Sequence, residues 1–135
     1  MTPSVKFLQT LMWIDSHCHL DAHDFDADRD EVVAQSRAAG VEAIVNLPGH
    51  VDHFEQAKAT RERYGCLTGY GIHPMWVAGP SGHSTRDDIG VLRAWVEREK
   101  PDLIGEIGLD FFIPDFDQPE QEWFFAEQLK IARDF

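Results

Sequence analysis

Short apolar runs alternate with longer amphipathic stretches along this chain, four times over. Met12 to Ser16 predicts a first strand. After an acidic loop, Asp30 to Ala39 carries helical spacing and stops at Gly40, a residue suited to ending a helix. Glu42 to Leu47 predicts a second strand broken by Pro48-Gly49, and His50 to Tyr64 a second helix ending at Gly65. Leu67 to Ile72 predicts a third strand closed by His73-Pro74. A loop rich in Gly, Pro and Ser, Ala78 to Ser84, leads to a third helix over Thr85 to Glu99. Thr85 suits its N-cap with Asp88 three residues on, and Pro101 lies just past its end. Asp102 to Ile107 predicts a fourth strand and Gln118 to Arg133 a fourth helix.

Four strand–helix units in series predict an α/β fold with a parallel sheet and helices packed against it. No linker divides residues 12–135, and residues 1–11 read as an extension, with Met12 as an alternative start. Four polar residues fall at the carboxyl ends of strands: His17 and His19 on the first, His73 on the third, Glu106 on the fourth. In parallel α/β proteins that is where ligands bind. A four-stranded parallel sheet has open first and fourth strands, which expose unpaired backbone groups unless something covers them. The expected cover is further polypeptide or a second copy meeting the chain edge to edge.

Composition narrows the classes. The 135 residues are 43% hydrophobic and 27% charged, enough for one sizeable core. Net charge is −12, from 24 acidic and 12 basic side chains, which excludes a protein that grips nucleic acid by a broad basic face. It leaves open an enzyme that meets phosphate through bound cations. No apolar run is long enough to span a bilayer, and no secretory leader is recognisable. With only two cysteines, Cys18 and Cys66, the expectation is a cytoplasmic protein with free thiols.

The chemistry begins at Asp15-Ser16-His17-Cys18-His19-Leu20-Asp21. On an extended strand His17 and His19 share one face and Cys18 takes the other. Two imidazoles on one face make a metal pincer, whereas Cys18 is expected as a small core residue. Glu106 lies in the apolar run Ile104-Gly105-Glu106-Ile107-Gly108-Leu109-Asp110, whose glycines permit close backbone approach. A carboxylate there needs a partner, either a metal ion or an arginine from a neighbouring strand. With His17 and His19 it makes a two-nitrogen, one-oxygen site, and a carboxylate that bridges two ions suits a two-metal hydrolase. His73, aimed off its strand end by Pro74, is open to substrate binding, to donation toward a phosphate, to metal ligation or to a plain turn role. Asp15, Asp21 and Asp110 flank the motifs as supports for a ligand histidine, and each reads equally as a loop acid or a cap. Asp24, Asp26 and Asp28 imitate a calcium loop, but Arg29 and Gln35 stand where that loop needs glycine and glutamate. Trp123, Phe124 and Phe125, with Leu129 and Ile131, read as a helix core face.

From Met12 to Phe135 the sequence resembles the TatD family of metal-dependent deoxyribonucleases, in the amidohydrolase-like TIM-barrel group. The resemblance rests on Ile14 to Asp21, Gly71-Ile72-His73-Pro74, Ile104 to Asp110, and the helix Gln121 to Ala132 with its phenylalanines and Gln128-Leu129. It implies the first half of a TIM (β/α)8 barrel, four of its eight units, and two divalent metal ions (Mg, Mn or Zn). His17 and His19 are implied as ligands of one ion, Glu106 as a ligand shared by both, and His73 as a neighbour of the scissile phosphate. The implied reaction is phosphodiester hydrolysis by metal-activated water, as a 3'-5' exonuclease on single-stranded DNA or RNA. The family pattern continues through four more strands that bring two further histidines and a late aspartate. His23, His50, His53 and His83 do not match those positions, so the chain alone is expected to be inactive. Two other readings stay open: a related metal hydrolase acting on C–N or ester bonds, and a non-catalytic metal-binding half-barrel.

Overall fold

The computed structural model describes residues 12–77 and 82–135. The expected extension at residues 1–11, and residues 78–81 of the expected loop, lie outside the described residues. The chain runs β1 (Trp13–Cys18), α1 (Arg29–Ala38), β2 (Val41–Asn46), α2 (Phe54–Tyr64), β3 (Leu67–Tyr70), α3 (Pro74–Val77), α4 (Asp87–Glu99), β4 (Leu103–Ile104) and α5 (Gln118–Asp134). One-turn 3-10 helices at His23–Phe25 and Val51–His53 precede α1 and α2. The four strands are all parallel and lie in the order β1-β2-β3-β4. That is the arrangement of four consecutive units of a (β/α)8 barrel, with β1 and β4 as its edges.

Several boundaries differ from expectation, each for a local reason. His50 does not begin a helix: its backbone is extended, and the turn Val51–His53 intervenes before α2 starts at Phe54. Pro74, with its fixed φ, opens the short helix α3, an element the sequence reading missed. Thr85 makes only half of a capping arrangement. Its amide donates to Asp88 Oδ2 at 2.7 Å, while α4 starts two residues later behind Arg86, which makes no side-chain cap bond. β4 is two residues rather than six, because the chain leaves the sheet after Ile104. Gly65 ends α2 in the left-handed region at φ 67°, as its role as terminator requires.

Among the described residues the core forms three clusters. Leu20, Val33, Ile44 and Cys66 fill the space between α1 and the β1–β2 pair, with Cys18 packed against them. Phe54, Ala57, Tyr70, Leu92, Trp95, Val96 and Ile131 join α2, β3, α4 and α5. Ile72, Val77 and Phe124 close the carboxyl end of β3. On α5 the buried positions are Gln121, Phe124, Gln128 and Ile131, a stripe at helical spacing. Leu129 falls outside it and is 48% exposed, contrary to the expected core face, because it sits about 100° around the helix from Gln128.

Two buried glutamines make that stripe more than an apolar seam. Gln128 Nε2 donates to the Ile72 carbonyl at 3.1 Å, while its Oε1 accepts from the Ile72 amide at 2.7 Å. Gln121 repeats the pattern on Asp110, with its Nε2 on the carbonyl at 2.9 Å and its Oε1 on the amide at 2.8 Å. Each side-chain amide thus stands in for a strand partner at the point where the sheet gives out. The close fit of β3 against β4 is set by glycine. A Cβ on Gly71 would lie 2.6 Å from the Glu106 carbonyl oxygen and 2.8 Å from the Gly105 carbonyl carbon, both rigid backbone atoms.

Three expectations follow. Gly71→Ala must push β4 away and should lower stability by about 1–3 kcal/mol, read as a reduced urea midpoint. An unchanged midpoint would contradict the close approach. Gln128→Leu orphans two buried backbone groups, at a cost of about 1–3 kcal/mol each, whereas an exposed-face change such as Leu129→Gln should be nearly neutral. Burial pushes the Cys18 thiol up to about 11 and raises that of Cys66 as well. Both should therefore resist iodoacetamide in the native chain at neutral pH and react after denaturation, which intact mass distinguishes.

Candidate metal centre

β1 ends at Cys18, so His17 is its penultimate residue and His19 lies one step beyond it. Strand alternation still holds across this end: the two rings meet edge to face with centroids 5.2 Å apart, while Cys18 packs into the α1 cluster. Glu106 enters from the turn after β4, far along the chain, and all three strand-end histidines meet its carboxylate. His17 Nε2 is 3.1 Å and His19 Nε2 3.7 Å from Oε2, and His73 Nε2 is 3.3 Å from Oε1. The carboxylate is 24% exposed, and among the described residues no arginine pairs with it. His17, His19 and Glu106 each offer a ligating atom within 4.8 Å of the others. Two imidazole nitrogens and a carboxylate oxygen suit zinc and neighbouring divalent ions.

Backbone groups assign different tasks to the two kinds of histidine. His19 Nδ1 lies 2.6 Å from the Leu47 carbonyl, which can only accept. The proton therefore sits on Nδ1, and Nε2 presents its lone pair toward Glu106, the form a metal ligand needs. His73 is the reverse. The Met75 amide donates to its Nδ1 at 3.1 Å, so the neutral ring carries its proton on Nε2 and faces Glu106 as a donor. Neither Leu47 nor Met75 was singled out from sequence, since a backbone carbonyl or amide leaves no trace in residue identity. The Pro74 that opens α3 was the available signal for His73, because it begins the turn that delivers the Met75 amide.

Asp15 and Asp110 make local bonds, whereas Asp21 is bonded across to β2. Asp15 Oδ1 accepts from the His17 amide at 3.2 Å, and Asp110 Oδ1 accepts from the Phe112 amide at 2.9 Å. The Asp21 amide donates to Asn46 Oδ1 at 3.1 Å, and its own Oδ1 is buried without a hydrogen-bond partner among the described residues. Burial pushes the Asp21 carboxyl above the usual carboxylate range. Arg29, passed over as a mere obstacle to calcium binding, holds this loop in place. Its guanidinium donates to the Leu20 and Ala22 carbonyls, both at 2.7 Å, and to Asp26 Oδ1 at 2.7 Å. The Arg29 guanidinium, then His23, hold the Asp26 carboxyl below its ordinary range, so this acid belongs to an ion pair rather than a calcium loop.

Around the centre opens a cleft of about 470 Å³, whose lining includes His19, Asp21, Asp52, His53, His73, Trp76 and Glu106. His50, His53 and His83, with no assigned part in the sequence reading, gather on the ring of Trp76 with centroids 5.4, 5.5 and 5.1 Å away. Among the described residues no helix is long and apolar enough to cross a membrane.

Comparison with known proteins agrees with this geometry. The chain is 35% identical to human deoxyribonuclease TATDN3, over 89% of its own length and 47% of the relative's. It is 36% identical to the 3'-5' ssDNA/RNA exonuclease TatD of Cronobacter turicensis, over 84% of the chain and 42% of that protein. The crystal structure of YjjV, a TatD homologue from Escherichia coli, superposes with a TM-score of 0.81 at 32% identity, over 90% of this chain and 47% of that one. The chain thus spans about half the length of the curated relatives it matches, which fits four of eight barrel units. The TatD related DNase profile matches residues 14–135, and the chain belongs to that family of metal-dependent hydrolases.

Proposed function

We propose that this chain supplies half of the active site of a divalent-metal phosphodiesterase that removes nucleotides from the 3' end of single-stranded DNA or RNA. The observation that carries the reading is the convergence on Glu106: two histidines meet one carboxylate oxygen, and a donor histidine meets the other. His17 and His19 would hold one cation with Glu106, and the free lone pairs of Glu106 fit it to share a second. Magnesium, manganese and zinc are the ions in question. A bound divalent cation supplies Lewis acidity, lowering the proton affinity of water and polarising a phosphoryl oxygen.

The chain's own residues do the rest. Leu47 keeps His19 in its ligating tautomer, and Met75 keeps the His73 proton on Nε2, from which it can pass to a hydrogen bond with a phosphoryl oxygen. Water then attacks phosphorus, the bond to the departing sugar oxygen breaks, and that oxygen takes up a proton. We assign Asp15 and Asp110 to holding their strand-end loops and Asp21 to the field around His19. The 3' polarity and the single-stranded substrate rest on the name of the Cronobacter relative. Trp76, on the cleft wall, offers a flat face for a base. We place the protein in the cytoplasm on its two unpaired cysteines. The remaining ligands would come from four further strand–helix units or, by self-association through open sheet edges, from a second copy.

The experiment compares the 135-residue chain with a form extended by the remaining units its relatives carry. On 5'-labelled single-stranded DNA, the extended form should shorten the strand stepwise and stop when a chelator is added. Glu106→Gln should reduce kcat by about 100-fold or more. The chain alone should bind a divalent ion and turn over little. Sustained cleavage by the chain alone, lost in Glu106→Ala, would overturn the half-site reading. Hydrolysis of amides or esters with DNA left intact would favour the related C–N and ester hydrolases, and metal binding with no turnover of any substrate a non-catalytic half-barrel.

A further inference from the structure

A second set of metal-type donors lies beside the cleft, where its Asp52 and the neighbouring Trp76 line the wall, and shares no residue with the first. His50 precedes the turn Val51–His53, Asp52 sits inside that turn, and His83 arrives from the segment ahead of α4. His50 Nδ1 is 3.2 Å from Asp52 Oδ2, and His83 Nε2 is 3.5 Å from the same oxygen. One ligating atom from each residue lies within 4.8 Å of the other two. Zinc bonds of about 2.0–2.1 Å in a tetrahedron put neighbouring ligands roughly 3.3–3.4 Å apart. Both edges to Asp52 Oδ2 are already within about 0.2 Å of that spacing, and the two histidine nitrogens lie within 4.8 Å of each other.

His50 distinguishes this group from an ordinary surface cluster. It is 3% exposed, and its Nε2 is buried without a hydrogen-bond partner among the described residues. The Asp52 amide donates to Nδ1 at 3.3 Å, which puts the neutral ring's proton on Nε2, where no described residue accepts it. The Nδ1 lone pair then faces a carboxylate oxygen at 3.2 Å, two electron-rich atoms in contact. Moving the proton to Nδ1 satisfies Asp52 but gives up the amide bond and strands a lone pair at Nε2. Protonating both nitrogens puts a charge on a ring that is almost wholly buried. A cation at Nδ1 takes that lone pair from the amide hydrogen and places positive charge between the nitrogen and Oδ2, so the two electron-rich atoms no longer oppose each other.

We propose that His50, Asp52 and His83 form a second metal site, for an ion of the zinc class, independent of the site built on His17, His19 and Glu106. His50 Nδ1, Asp52 Oδ2 and His83 Nε2 are its protein ligands, and solvent completes a four-coordinate shell. The consequence is mechanical. The His83 and Ser84 amides donate to the Trp76 carbonyl at 2.9 and 2.8 Å, and Trp76 packs on the His50, His53 and His83 rings. An ion here would tie the segment carrying His83 to the start of α2 and stiffen the wall that presents Trp76 to the cleft.

The test titrates the metal-stripped 135-residue chain with Co²⁺ and follows it by equilibrium dialysis and visible absorption. The double variant His17→Ala/His19→Ala should retain one Co²⁺ equivalent with a tetrahedral-type spectrum. Adding His83→Ala should weaken that equivalent by at least about 10–100-fold, and Asp52→Asn should do the same. Both side chains are more than half exposed, so neither change should disturb the fold, and far-UV circular dichroism checks this. Absence of any Co²⁺ equivalent in the folded double variant would overturn the site. So would an equivalent that His83→Ala and Asp52→Asn leave unchanged. Because the catalytic pincer is absent from all these variants, the result is independent of the phosphodiesterase reading.

Discussion

The close approach of β3 to the turn after β4 is the constraint on which the centre depends. Gly71 has no room for a side chain against the Gly105–Glu106 backbone, and Gly69 is nearly as tight, with Leu47 Cδ2 2.7 Å and the Gly105 oxygen 3.0 Å from where its Cβ would stand. Gly69 on β3 and Gly71 just beyond its end therefore let a neighbouring backbone lie against them. That contact sets where the chain leaves the sheet, and so where Glu106 projects. A carboxylate placed a residue earlier or later would point to the opposite face or miss the histidines. The geometry of a chemical site is here a consequence of missing methyl groups.

Holding that turn in place is the work of α5. Beyond Tyr70 and Ile104 the ladder has ended, yet the backbone at Ile72 and Asp110 must still be satisfied while buried or half-buried. Gln121 and Gln128 lie two helical turns apart on one face and give each of these residues a donor and an acceptor. The same helix contributes Phe124 and Ile131 to two different apolar clusters. Polar and apolar fastening thus share one stripe. The loop carrying His73 and the loop carrying Asp110 are both tied to a single rigid element, which limits how far the groups around Glu106 can drift apart.

Much of this was legible in the residues. Four strand–helix units, the terminators Gly40 and Gly65, the outward turn of Cys18 and the placement of polar residues at strand ends all follow from period and punctuation. The convergence on Glu106 was legible only as a need for some partner. Its histidines lie as far as 89 residues away, and an arginine answered the same need on paper. What escaped was set by backbone: the turn that delays α2, the helix α3 begun by Pro74, the brevity of β4, and the exposed place of Leu129. The paired glutamines were visible as part of the helix motif, polar residues at heptad spacing within an apolar stripe, but amides on a helix are usually solvated, so their part in fastening the loops was not legible.

Charge connects the fold to the chemistry proposed for it. A chain of net charge −12 repels a polyanion at long range, and its cleft carries Asp21, Asp24, Asp52 and Glu106. Neutral imidazoles do not offset that. Any phosphate reaching Glu106 must therefore be met by cations held there, and affinity should rise and fall with divalent ion occupancy rather than with a basic surface. The same field also explains why imidazole is the donor of choice at these strand ends. Ammonium or guanidinium groups beside Glu106 would pair with it and close the site, whereas a neutral ring leaves the carboxylate charge available to a metal. His19, with its proton committed to Leu47, is the clearest case: the backbone fixes its tautomer, and the lone pair that remains faces Glu106, where a cation would satisfy both.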